Sequence, residues 1–159
     1  MVLSDIVVFC TKLINMANKA IVCEQSFNVS AKRLWQAITN VNEMRQWFFE
    51  NIPDFRAEKG FETQFMVDAG ERQFMHLWKI IEVEKERLIK YDWRYQGYEG
   101  TGFVSFELIE NAEATILKLT NEGLENFKPK VPEFNRESCI GGWNYFIKDR
   151  LKAYLEADK

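Results

Sequence analysis

The chain has 159 residues, 47% of them apolar and 28% charged, with 21 Lys and Arg against 24 Asp and Glu for a net charge of −3. A single domain of this length buries about 70% of its unfolded surface, so a sizeable core is available. The charge balance, with no basic block, argues against a broad nucleic-acid footprint, and the longest apolar run is too short to insert across a membrane.

Residues 1–18, MVLSDIVVFCTKLINMAN, carry Asp5 and no Lys or Arg ahead of the IVVF run, which is not signal-peptide grammar. Leu3, Ile6, Val7, Cys10, Leu13, Ile14 and Ala17 recur at helical spacing. Two readings stay open. The segment is an amphipathic helical extension, or Met16 is the true start; in both the domain spans 19–159. Cys10, Cys23 and Cys139 form no C-x-x-C pair and read as reduced thiols of a cytoplasmic protein.

In AIVCEQSFNVS, Ile21, Cys23, Gln25, Phe27 and Val29 alternate onto one face, which predicts a half-buried first strand. Ser30 is an N-cap for a short helix with Leu34, Trp35 and Ile38 at helical steps. Asn40 with Glu43 has the form of a capping box for a second short helix, ended before Pro53. From Phe55 to Asn121 the pattern turns to strands. Phe61, Thr63, Phe65 and Val67 alternate, then RQFMHLWKIIEV, LIKYDWRY, Val104-Phe106-Leu108 and Thr115-Leu117-Leu119, joined by short turns. Sequential strands with short turns predict an antiparallel meander.

Residues 122–135, with Gly123, Pro129 and Pro132, form a long irregular stretch of the kind that covers a site. The last helix carries Ile140, Trp143, Ile147, Leu151, Tyr154 and Leu155 on one stripe, with Lys148, Asp149, Lys152 and Glu156 opposite. A sheet of about six to seven strands must bury its apolar face under that helix, an α+β layer. Gly141 and Gly142 beside the stripe either allow close packing of helix on sheet or leave a cavity mouth beneath it.

The stretches SAKRLWQAITNVNEMRQWF, GFETQFMV, IIEVEKERLIKYDW, VSFEL, ATILKLTNEG and GWNYFIKDRLKAYLE, spread over about residues 20–156, resemble the SRPBCC superfamily. This is the START-like helix-grip fold, and the branch most alike is that of the activator of the ninety-kilodalton heat-shock chaperone's ATPase. The resemblance implies a curved sheet around a long C-terminal helix. It also implies three kinds of activity: binding of a lipid-like or other hydrophobic ligand, a stress-response role on the chaperone, or cyclase or hydrolase chemistry. Many relatives carry histidine where this chain has Asn121, and the eukaryotic activators add a large N-terminal domain where this chain has at most an 18-residue extension.

The acid–base inventory is thin. His76, the sole histidine, has no nucleophile elbow and no acidic residue at a defined spacing. There is no metal-ligand set, P-loop or dinucleotide fingerprint, so neither catalytic residues nor a metal or cofactor is expected. Asp92, Glu62 and Glu107 read as outward charges on strands.

The 13 Phe, 5 Trp and 5 Tyr are the stronger signal: either an aromatic-rich core or a ring-lined cavity. If strand parity holds, Phe65, His76, Trp78, Tyr91, Trp93, Phe106 and Leu117 converge under Trp143 and Ile147, with Trp47 and Phe48 closing one end. Such a cavity suits a small hydrophobic or amphipathic partner.

Overall fold

In a computed structural model, which describes residues 19–157, alternation sets the first strand, β1 (Ile21–Phe27). It buries Ile21, Cys23 and Phe27 and exposes Val22, Glu24 and Ser26. Ser30 Oγ accepts the Arg33 amide at 3.1 Å and starts α1 (Ala31–Thr39), whose Leu34, Trp35 and Ile38 face the core. Asn40 closes α1 and caps α2 (Val41–Trp47), with Oδ1 accepting from Glu43 N at 3.1 Å. The reciprocal half of the expected capping box does not form. The Glu43 carboxylate instead pairs with Arg33 at 2.7 Å and accepts from the Tyr154 hydroxyl at 2.7 Å, tying the short helices to the end of the last one.

Five further strands follow: β2 (Glu62–Asp68), β3 (Gln73–Glu84), β4 (Leu88–Tyr95), β5 (Gly102–Glu110) and β6 (Thr115–Glu122). Among the described residues they make one antiparallel sheet in the order β1-β6-β5-β4-β3-β2. The out-of-step Val83 near the end of the β3 sequence has a physical cause. Register shifts between Ile80 and Glu82, so Phe74, His76, Trp78 and Ile80 point inward and Val83 returns to that face beyond the bulge.

The C-terminal helix runs as α3 (Arg136–Trp143), a π-helical stretch (Asn144–Leu151) and α4 (Lys152–Ala157). Its buried residues Trp143, Ile147, Leu151 and Leu155 repeat every four positions. On a 3.6-residue turn such a repeat drifts by about 40° per step; the wider π turns cancel the drift and keep one seam on the sheet. Ile140, expected on the stripe, is 36% exposed, lying three residues ahead of Trp143 and so off the four-residue seam.

Gly141 and Gly142 do not mark a close approach, since a Cβ on either would meet nothing within 4 Å. Close packing is therefore not their role. Gly141→Ala is expected to raise stability by about 0.5–1 kcal/mol, read as a shift in the denaturant midpoint, because glycine costs about that much in a helix.

Candidate functional site

Beneath α3 and the start of the π-helical stretch lies a cavity of about 380 Å³, within the range of about 300–1,000 Å³ usual for small-molecule sites. Strand register builds its floor. His76 on β3 is opposite Tyr95 on β4, Trp93 is opposite Gly102 on β5, and Val104 is opposite Asn121 on β6. Gly102 has no side chain because Phe127 takes that place: a Cβ would sit 3.1 Å from the Phe127 ring.

The irregular stretch 123–135 closes the far end. Glu99 and Lys128 exchange backbone hydrogen bonds at 2.8 and 3.1 Å. Gly100, at φ +102°, lets that pairing come close, since a Cβ there would be 2.3 Å from the Asn126 carbonyl oxygen. Phe134 packs on Tyr95, Tyr98, Phe127 and Phe74 with ring centroids 4.8–5.2 Å apart. Glu133 beside it is held by Arg72 of the β2–β3 turn at 2.9 Å. On the helix side Cys139, Gly142, Trp143 and Phe146 form the roof, with half-exposed Tyr145 at the mouth. Phe49 and Val67 complete the wall next to the edge strand β2.

Of the positions expected to converge, His76, Trp93 and Trp143 are on the cavity wall. Trp47, Phe48, Phe65, Trp78, Tyr91, Phe106, Leu117 and Ile147 are buried in the adjoining core. Tyr95, Phe127 and Phe134 line the wall without having been singled out. Their signal was available, since both phenylalanines lie in the stretch read as a cover.

The polar groups of the wall are mostly committed. Asn121 Oδ1 accepts from Trp143 Nε1 at 3.1 Å, and its Nδ2 donates to Phe103 O at 3.4 Å. His76, 5% exposed, shares Nδ1 with Phe74 O at 3.1 Å; a carbonyl only accepts, so that nitrogen carries the proton. Burial holds the imidazole pKa down to about 4, the Phe74 bond opposing it weakly, and the ring is neutral at pH 7. Burial likewise raises the Cys139 thiol to about 11, leaving it protonated. The Tyr95 hydroxyl is raised by burial and by Cys139, with the nearby Trp93 indole pulling the other way; Trp93 Nε1 itself makes no hydrogen bond of ordinary geometry.

Deeper in the core, Tyr91 Oη and Trp78 Nε1 are sealed without partners, and burial raises the Tyr91 pKa. A buried hydroxyl with no partner carries a desolvation penalty. Tyr91→Phe is therefore expected to hold or raise stability by about 1 kcal/mol in chemical denaturation, where a tyrosine with a useful hydroxyl would lose that much.

Among the described residues, no group of three His, Cys, Asp or Glu side chains is arranged for a metal ion, and no helix is long and apolar enough to cross a membrane.

A curved antiparallel sheet gripping a terminal helix over an aromatic hollow is the architecture of the helix-grip, START-like proteins. Within that class the chain belongs to the family described as activator of Hsp90 ATPase homolog 1-like protein, whose profile matches residues 28–156. No curated protein matches significantly. Among solved structures, MLL2253 from Mesorhizobium loti is 20% identical with a TM-score of 0.72, over 89% of this chain and 99% of that one. The Aha1 protein of Colwellia psychrerythraea, solved in solution as a dimer, is 18% identical with a TM-score of 0.68, over 89% and 98%. DynU16, a protein of the dynemicin biosynthetic locus, is 23% identical with a TM-score of 0.69 over 88% of this chain, which spans 48% of DynU16. At these identities the likeness is one of fold.

Proposed function

We propose that this domain is a non-catalytic binding module that holds a small hydrophobic or amphipathic molecule between the sheet and the C-terminal helix. The 380 Å³ aromatic cavity carries the reading. Its walls include His76, Trp93 and Trp143, and we carry these positions forward as ligand contacts. Catalysis is the weaker reading because no acid–base pair is set up. Among the wall residues the one carboxylate, Glu133, is tied to Arg72, and His76 Nδ1 is tied to the Phe74 carbonyl.

Native mass spectrometry and thermal-shift screening against lipids, sterols and aromatic metabolites test the proposal. Bound mass and a raised Tm are the expected result; indifference to the whole set sinks it. Gly142 has open space where its side chain would be. Gly142→Leu is expected to keep stability within about 1 kcal/mol while weakening uptake of any ligand found by about tenfold or more, by obstructing the wall.

The family name favours one second reading, a protein-binding role on a ninety-kilodalton heat-shock chaperone. Pull-down with that chaperone and an assay of its ATPase decide it; no capture and no change in rate removes it.

A further inference from the structure

We propose that the cavity selects neutral aromatic molecules carrying an O–H or N–H donor, which they place on His76 Nε2, and that it rejects carboxylates. This rests on the reading of the cavity as a binding site. The choice follows from the one wall nitrogen that can only accept; the Tyr95 and Ser138 hydroxyls, also on the wall, can donate or accept and do not select between donor and acceptor ligands.

His76 donates through Nδ1 to Phe74 O, so its other nitrogen presents a lone pair and no proton. Among the described residues that Nε2 makes no hydrogen bond. The sealed, unpartnered polar atoms of the core are the Tyr91 hydroxyl and the indole nitrogens of Trp78 and Trp93, and Nε2 is not one of them. It therefore keeps access to the open space its residue lines. The imidazole is stacked on Phe65 at 5.3 Å and faced edge-on by Tyr95 at 4.9 Å, so ring contacts hold its orientation. Burial resists protonation, which keeps the nitrogen an acceptor at pH 7.

An anion finds little. Among the described residues no Lys or Arg lines the cavity, and the one charged wall residue is the carboxylate of Glu133, already paired with Arg72. The two α3 residues on the wall near the helix start offer no free amide, since Ser138 N donates to Asn135 Oδ1 at 2.8 Å and Cys139 N to Asn135 O at 3.1 Å. A buried carboxylate would lose its hydration with no cation in return. A planar ring, in contrast, meets Trp93, Trp143 and Phe134, and its one donor meets His76.

The test is equilibrium dialysis of the full chain at pH 7 with three probes of similar shape: 2-naphthol, 2-methoxynaphthalene and 2-naphthoate. 2-Naphthol is expected to bind about tenfold tighter than its methyl ether, the effect of one buried hydrogen bond, and 2-naphthoate more weakly than either. In His76→Phe the tenfold preference for naphthol over the ether should vanish. The wild-type series decides the matter even where that variant folds poorly. Equal binding of naphthol and ether, or preference for naphthoate, overturns donor selection and leaves the binding module standing. Binding of none of the three overturns donor selection, and the binding module falls with it only if the lipid and sterol screen is empty as well.

Discussion

Phe48→Ala is expected to destabilise the domain by about 3–5 kcal/mol, as for other large-to-small changes of a buried aromatic. Phe48 is 4% exposed and sits where three layers meet. It lies flat on Trp47 at 4.7 Å, touches the sheet through Trp78 at 5.6 Å, and meets the helix through Phe146 at 4.9 Å and Trp143 at 6.0 Å. Its loss leaves a void that the rings around it fill poorly, because Trp47 is anchored by its own hydrogen bond to Ala37 O at 2.8 Å. The void would also adjoin the existing cavity, since Phe49, Trp93, Trp143 and Phe146 touch Phe48 and line that cavity as well. Thermal unfolding should show a fall in Tm of roughly 10 °C. A fall of a degree or two would mean that the ring cluster repacks freely and that the hollow is not a rigid feature of the fold.

That hub was legible in the sequence as a ring-bearing position, but its contacts were not. Parity is a local property, and the alternation in β1, β4, β5 and β6 assigns Cys23, Tyr91, Phe106 and Leu117 to the inner face without any tertiary information. Parity does not say how far along each strand the space under the helix is filled. Tyr91 and Trp93 share a face two residues apart, yet Tyr91 is sealed against Phe55 and Phe106 while Trp93 reaches the cavity. The difference lies in what arrives from elsewhere in the chain. Phe55 follows α2 and fills one end of the sheet, whereas the other end receives the stretch 123–135 and the thin start of α3. The β3 bulge and the π turns were hidden for a related reason. Each is a backbone adjustment that lets an apolar repeat slightly off the regular period keep facing the core. The four-residue repeat from Trp143 to Leu155 was the trace of one of them.

The chain's single histidine makes its acid response unusually easy to read. In the folded protein burial holds the His76 pKa at about 4, while in the unfolded chain it returns to the ordinary value near 6.5. Between those two values the unfolded state binds a proton that the native state refuses. Stability therefore rises with pH across that window, is fully present above about 6.5, and is lost as pH falls toward 4. The slope is about 1.4 kcal/mol per pH unit, which makes about 2 kcal/mol between pH 6.5 and 5 and about 3 kcal/mol over the whole window. The range above pH 5 is the informative one, because unperturbed carboxylates titrate below it. Denaturant midpoints measured at pH 7, 6 and 5 should fall steadily for the wild type and stay level for His76→Phe. Matching slopes in the two proteins would mean that the imidazole meets solvent freely in the native state and that its lone pair is not held for a bound molecule.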